Sequence, residues 1–462
     1  MSRSLQVVQP RVQQGKEWLI LGDVYPDSVP RTIPIAIVTT DPATDTATDA
    51  GTATIEDPIH FSSCPRVEGK YTHSILAAHD GSTLVSVEAT SSPAVIEIDG
   101  TSTSTVIQFQ VHRYDISTRK ILSPPVLVSE QVTSIYIRHT AVYLGFQTSV
   151  GWIDFASAAA SPVYEQIYVN NLLGVNVDSS NKAYDMFICH DDTLVAIDDC
   201  CFPFYADTFV LDPDNGRPIH VRHWELPWLV NGRYTMAAAS PNNQELQLFL
   251  ASEFHCRGGL GRELWRLEFE ECISLSSTTS RPIHTFASRP KGTRLTEVRR
   301  MDGTCDSLTP NMPETNGDWF GVQWNAMAVT KDLLLLAAGR RGILSLPLNF
   351  GPETKACAFP NLGGWVWDVT VLDNNVIWVL VAPPPPVESL VADFTCVEDT
   401  NSRLADVSWQ IIKLDRNHQV QLRIPIQGSR NLHFVGANGR ERSSYHSTEG
   451  AERAGQDAKD DL

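Results

Sequence analysis

The sequence predicts an all-β chain made of one four-stranded unit repeated several times. Two observations carry this. The first is a succession of short apolar runs bounded by Gly, Asp, Asn or Ser, at 83–87, 141–145, 193–197 and 376–380 among others. Runs of this length, rich in Val, Ile, Leu and aromatic residues, are strands. No stretch shows sustained helical spacing. The second is internal repetition. Residues 184–195, 324–335 and 367–378 align without a gap: an aromatic residue, a small polar one, an apolar strand, a polar turn and a second apolar strand. Val132-Thr133 opens a further copy, and Tyr71-Thr72 and Tyr234-Thr235 open two more with slightly longer turns.

The remaining elements follow in order. Strands are expected at 17–21 and 31–39. The Asp/Thr/Ala-rich stretch 41–57 is a low-complexity loop. Units begin at Tyr71, Val132, Tyr184, Tyr234, Trp324 and Trp367. Their third strands end in turns led by Asp115, Asp154, Asp212 and Asp415, since an Asp carboxylate there accepts backbone N–H groups two residues on. Outer strands return at 217–224 and 419–424. Four antiparallel strands repeated at roughly 40–50 residues make a β-propeller blade. The stretch 289–320 reads as a long surface connection, and 383–405, opened by Pro383 to Pro386, as a stiff insertion. Residues 437–462 are polar, without periodicity, and read as a disordered tail. A strand at 431–435 combines with the N-terminal strands into a seventh blade, closing the ring and removing its open edges. The expectation is one seven-bladed propeller over 1–436, with six blades as the alternative.

With that pattern established, the chain resembles the WD40/YVTN-like β-propeller superfamily over roughly 71–426. The likeness is one of blade pattern, as in His79-Asp80-Gly81-Ser82-Thr83-Leu84-Val85 and Tyr114-Asp115. It implies the fold and transfers no functional residue.

Composition bounds the function. Lys and Arg number 36 against 54 Asp and Glu, a net charge of −18. Such a field repels phosphate, which argues against nucleic acid as a partner. Hydrophobic residues are 42% of the chain, enough to bury a core, so disorder throughout is excluded. No apolar run approaches the roughly 20 residues of a spanning helix, and no signal peptide is visible, so no membrane partner is expected. The nine cysteines form no framework and no C-x-x-C pair. Free thiols and a cytoplasmic or nuclear location are the expectation.

The candidate binding residues are the openings of the units. Inner strands line a propeller's central channel, so Tyr184, Trp324 and Trp367, with Asp185, Asn325 and Asp368, would ring one mouth of it. The competing reading, favoured for repeated positions, is aromatic packing between blades with polar caps. His220-x-x-His223 offers metal-ligand types, but residues three apart on a regular strand face opposite sides. Cys200-Cys201, the Gly258-Gly259-Leu260-Gly261 loop and the Arg340-Arg341 turn also read as structural. No cofactor and no metal is expected. Three functions remain: a non-catalytic protein-interaction scaffold, a propeller hydrolase of the calcium-lactonase kind, and a subunit that completes a larger assembly. The scaffold is preferred, with a protein or peptide partner that carries a basic patch.

Overall fold

The structure is a computed structural model. It describes residues 17–23, 36–40, 54–55, 76–80, 82–93, 105–116, 118, 120–155, 162, 164–169, 184–190, 192–198, 205–226, 234–239, 247–252, 264–268, 291–295, 326–339, 342–351, 354, 357–359, 362–372, 376–382, 409–415, 418–426, 432–434 and 438–440. Among these residues every regular element is a strand.

The strands are β1 (Glu17–Asp23), β2 (Ala36–Thr40), β3 (Thr54–Ile55), β4 (Leu76–His79), β5 (Thr83–Pro93), β6 (Thr105–Asp115) and β7 (Val126–Val128). Next come β8 (Ser134–Arg138), β9 (Ala141–Gly145), β10 (Ser149–Asp154), β11 (Tyr164–Val169), β12 (Tyr184–His190), β13 (Thr193–Asp198), β14 (Tyr205–Leu211) and β15 (Pro218–Glu225). The second half holds β16 (Tyr234–Ala239), β17 (Gln247–Ser252), β18 (Leu264–Glu268), β19 (Lys291–Leu295), β20 (Ala326–Val329), β21 (Leu333–Ala337), β22 (Ile343–Pro347) and β23 (Cys357–Ala358). The last are β24 (Trp365–Leu372), β25 (Val376–Ala382), β26 (Trp409–Leu414), β27 (Val420–Ile426), β28 (Leu432–Phe434) and β29 (Asn438–Arg440).

Consecutive strands pair antiparallel into meanders β4–β7, β8–β11, β12–β15, β16–β19, β20–β23 and β24–β27. A further sheet has the order β28-β1-β2-β3, with Leu21 opposite Phe434 and Asp23 opposite Leu432. β29 joins the free edge of β8 as a fifth strand. First strands of successive sheets touch along the series β4, β8, β12, β16, β20, β24 and β28. This is a β-propeller arrangement.

The cores lie between sheets and not within them, because each sheet must bury both faces. One cluster joins Val85, Val87 and Val111 to Ile135, Val142 and Leu144. Others join Tyr143 and Trp152 to Phe187 and Phe209, and Ile188 and Val195 to Leu248 and Leu250. Leu335 and Ala337 pack on Val366 and Val379, and Trp378, Trp409 and Ile411 pack on Phe434. Three of the four expected Asp-led turns form, those at Asp115, Asp212 and Asp415. Asp115 Oδ1 accepts from Thr118 N at 2.6 Å, Asp212 Oδ1 from Asp214 N at 2.8 Å and Asp415 Oδ1 from Gln419 N at 2.8 Å.

Three stretches expected as loop or tail contain strands. Lys291–Leu295 is the outer strand β19, inside the expected connection 289–320. Thr54–Ile55 is β3, at the end of the expected loop 41–57. Asn438–Arg440 is β29, within the expected tail 437–462. In each case an unpaired sheet edge nearby offers N–H and C=O groups that strand pairing satisfies, a requirement invisible in the added segment's own composition. The insertion 383–405 lies outside the described residues.

Candidate functional site

Tyr184 is fully buried and works as a joint between two sheets. Its N–H donates to Phe146 O at 2.9 Å. Its carbonyl accepts from Thr133 Oγ1 at 2.9 Å and Ser134 Oγ at 2.5 Å. Its hydroxyl donates to Asp207 Oδ2. A Cβ added at Gly145 would collide with Tyr184 O and Ser134 Oγ, so glycine is required by this close approach. Of the two readings of the unit openings, Tyr184 follows the packing one: it lies between sheets, where the repeat uses it to join neighbours.

The corresponding joint in the sheet of β24 is at Val366. Val366 N donates to Gly339 O at 2.9 Å, and Gly339 N returns a bond to Val366 O at 3.1 Å. Val366, not Trp367, is therefore the equivalent of Tyr184. Both inner strands carry a bulge at the next residue: register shifts between Tyr184 and Met186, and between Val366 and Asp368. Asp185 and Trp367 are the extra residues, and a third bulge between Tyr234 and Met236 repeats the feature. The gapless alignment is off by one because the β24–β25 turn runs from Leu372 to Val376, whereas the β12–β13 turn runs from His190 to Thr193.

The slip decides what these residues do. Trp367 is half-buried and meets Trp409 edge-on, with ring centroids 6.1 Å apart. Asp368 is 3% exposed. Its Oδ1 accepts from Val369 N and its Oδ2 from Phe434 N, each at 2.8 Å. Asp368 thus ties β28 to β24, in keeping with the polar-cap reading of the unit openings. Trp324, Asn325, Cys200-Cys201, Arg340-Arg341 and the Gly258–Gly261 loop lie outside the described residues.

A second polar cluster forms where strand alternation predicts none. The register of β14 and β15 shifts between Thr208 and Phe209: Thr208 faces Arg222 while Phe209 faces His220, leaving Val221 as an extra residue. This bulge puts His220 and His223 on one face, against the expectation that they diverge. Asp207 is fully buried between them. Its Oδ1 lies 2.8 Å from His220 Nε2 and 3.0 Å from His223 Nδ1. The Tyr168 ring of the adjacent sheet stacks on His220 at 3.9 Å, and Tyr205 lies 4.5 Å from His223. The sequence signal is small: a seven-residue strand paired with one of eight.

The chemistry of this cluster is that of a satisfied buried carboxylate. Burial opposes ionisation of Asp207, but hydrogen bonds from His220, His223 and Tyr184 outweigh it and hold the carboxyl below its ordinary range. Burial, with the Asp207 charge beside it, pushes the Tyr168 phenol upward. Among the described residues no group of three or more His, Cys, Asp or Glu is arranged to hold a metal ion. The cluster can fix two imidazoles and a phenol in place. It locks a joint between sheets.

The third feature is on the axial side of the first strands. β29 runs antiparallel to β8, with Asn438 opposite Tyr136, Gly439 opposite Ile135 and Arg440 opposite Ser134. It also packs against β4 and β12. An extended segment is therefore seated on an inner strand edge. The expectation of free thiols does not hold for Cys357, which is disulfide-bonded to a residue outside the described set. Spacing alone does not reveal such pairings, because the partners meet only in the fold. Cys189 is not in a disulfide, and its Sγ accepts from Arg138 Nη1 at 3.9 Å.

No family description and no curated protein matches the sequence. Solved structures do resemble the chain. One is a protein of Bacteroides uniformis provisionally assigned as a 6-phosphogluconolactonase, 11% identical, with TM-score 0.49 over 91% of this chain and 100% of that one. Another is the periplasmic gluconolactonase of Pseudomonas aeruginosa, 12% identical, with TM-score 0.47 over 91% of this chain and 99% of that one. A third is a chain of a mitotic checkpoint complex, 11% identical, with TM-score 0.36 over 82% of this chain and 94% of that one. The chain is a β-propeller. Likeness at these levels assigns no activity, since one fold hosts many.

Proposed function

We propose that this propeller is a non-catalytic protein-interaction scaffold, built as seven blades with β28 closing the ring against β1. The supporting observation is the state of Asp368. A hydrolase of the calcium-lactonase kind needs carboxylates free to converge on the channel. Asp368 is one of the acids expected at the channel, and both its oxygens accept backbone N–H groups. An acid engaged in this way holds strands together. The partner is a protein or peptide with a basic patch, steered by the net charge of −18.

The test has two arms on the purified chain. Elemental analysis and a panel of sugar lactones examine the enzyme reading. Affinity purification with quantitative mass spectrometry at low and high salt examines the scaffold. The proposal expects a stoichiometric protein partner that salt weakens, and lactone hydrolysis no faster than background. One equivalent of calcium, whose removal abolishes lactone hydrolysis, would contradict it.

A further inference from the structure

We propose that the axial edge of β8 is an acceptor site for an extended peptide segment, and that Asn438–Arg440 is the chain's own exchangeable occupant. The inference deepens the scaffold reading by naming where a partner binds. It begins with strand physics. An unpaired edge presents a row of N–H and C=O groups and accepts any segment that supplies the complementary row. In the sheets β12–β15, β16–β19, β20–β23 and β24–β27 the sheet order ends at the first strand, but at β8 it continues into β29. The occupant is three residues long and contains no apolar side chain: Asn438, Gly439 and Arg440. It is paired in register with Ser134–Tyr136 and also lies against β4 and β12.

The chemistry of the occupant indicates the chemistry of a partner. A segment that replaces it is extended, small at the centre and cationic at the end, as Asn-Gly-Arg is. A cation also suits an acidic chain. While β29 is in place it competes in cis, with the advantage of tethering. A partner segment has to displace it, so the tail sets the threshold for binding.

The experiment uses the full chain and a fluorescein-labelled synthetic peptide with the sequence of residues 436–444. One variant carries Asn438→Pro, Gly439→Pro and Arg440→Pro, which remove the three N–H donors of β29. Fluorescence anisotropy is expected to show saturable binding to the variant, at least tenfold tighter than to wild type. A peptide with the same three prolines should bind neither. Equal peptide affinity for both chains, or no binding by a variant that melts normally, overturns the proposal. A variant that no longer folds assigns β29 to the frame and overturns it too.

A second measurement needs no variant. Unlabelled peptide in millimolar excess over wild type should speed hydrogen exchange at 438–440 while 134–138 stays protected. Unchanged exchange at 438–440 counts against the site. No cellular partner enters either assay, so their failure is separable from failure of the scaffold reading.

Discussion

Two short strands, β28 and β29, come last among the described residues, and they are held in different ways. Each is three residues long and each adds to a sheet edge. β28 reads Leu-His-Phe. Phe434 is 9% exposed, packs with Trp378 and Trp409, and its N–H is held by Asp368. β29 reads Asn-Gly-Arg, pairs in register with β8 and lies against β4 and β12. Backbone hydrogen bonds with a net contribution of about 1 kcal/mol each roughly balance an ordering cost of about 1–2 kcal/mol per residue. The buried Phe434 side chain tips this balance for β28, whereas the polar sequence Asn-Gly-Arg offers β29 no comparable apolar burial.

The largest expected effect is on the anchored strand. Phe434→Ala removes a buried aromatic from an inter-sheet core and should cost about 3–5 kcal/mol, read from urea denaturation. A loss below about 1 kcal/mol would mean that β28 is not locked by packing. Asp368→Ala comes next. It leaves two buried N–H groups without their acceptor, and about 1–3 kcal/mol is expected from the same measurement. Because Asp368 and Phe434 touch, the double variant should fall short of the sum.

Asp207 supplies a comparison in a sheet to which neither strand belongs. Asp207→Ala strips a buried carboxylate from His220, His223 and Tyr184, and about 3 kcal/mol is expected. The pH dependence has a definite sign. The folded carboxyl titrates below its ordinary value. Its contribution is therefore complete above about pH 4 and is lost as the pH falls through the depressed value. The gap in melting temperature between wild type and Asp207→Ala should be full at pH 7 and narrow towards pH 2. A gap that widens on acidification would show that Asp207 is not held by these donors. The smallest effect is expected at the polar strand β29: Gly439→Pro should change stability by less than about 1 kcal/mol, within the range of surface substitutions.

Much of this frame is legible in the amino-acid sequence. Hairpins such as Thr193–Asp198 on Tyr205–Leu211 follow from short apolar runs between turn residues, and the Asp-led turns follow from side-chain chemistry. What escapes such reasoning is the one-residue event. The longer turn before Val376 moves Trp367 off the position of Tyr184. The extra Val221 makes a diverging His pair converge. Such bulges are set by pairing with the neighbouring strand, which local sequence does not report. The outer strand Lys291–Leu295 and β29 escape for a related reason: their residues are mostly polar, and the edge they complete is what makes them strands.

Native-state hydrogen exchange on the full chain tests the difference between the two terminal strands most directly. The amides of Leu432–Phe434 should exchange only through global unfolding, with protection that falls steeply in denaturant. Those of Asn438–Arg440 should exchange through local opening, faster by orders of magnitude and insensitive to low denaturant. Equal protection in the two segments would contradict the account.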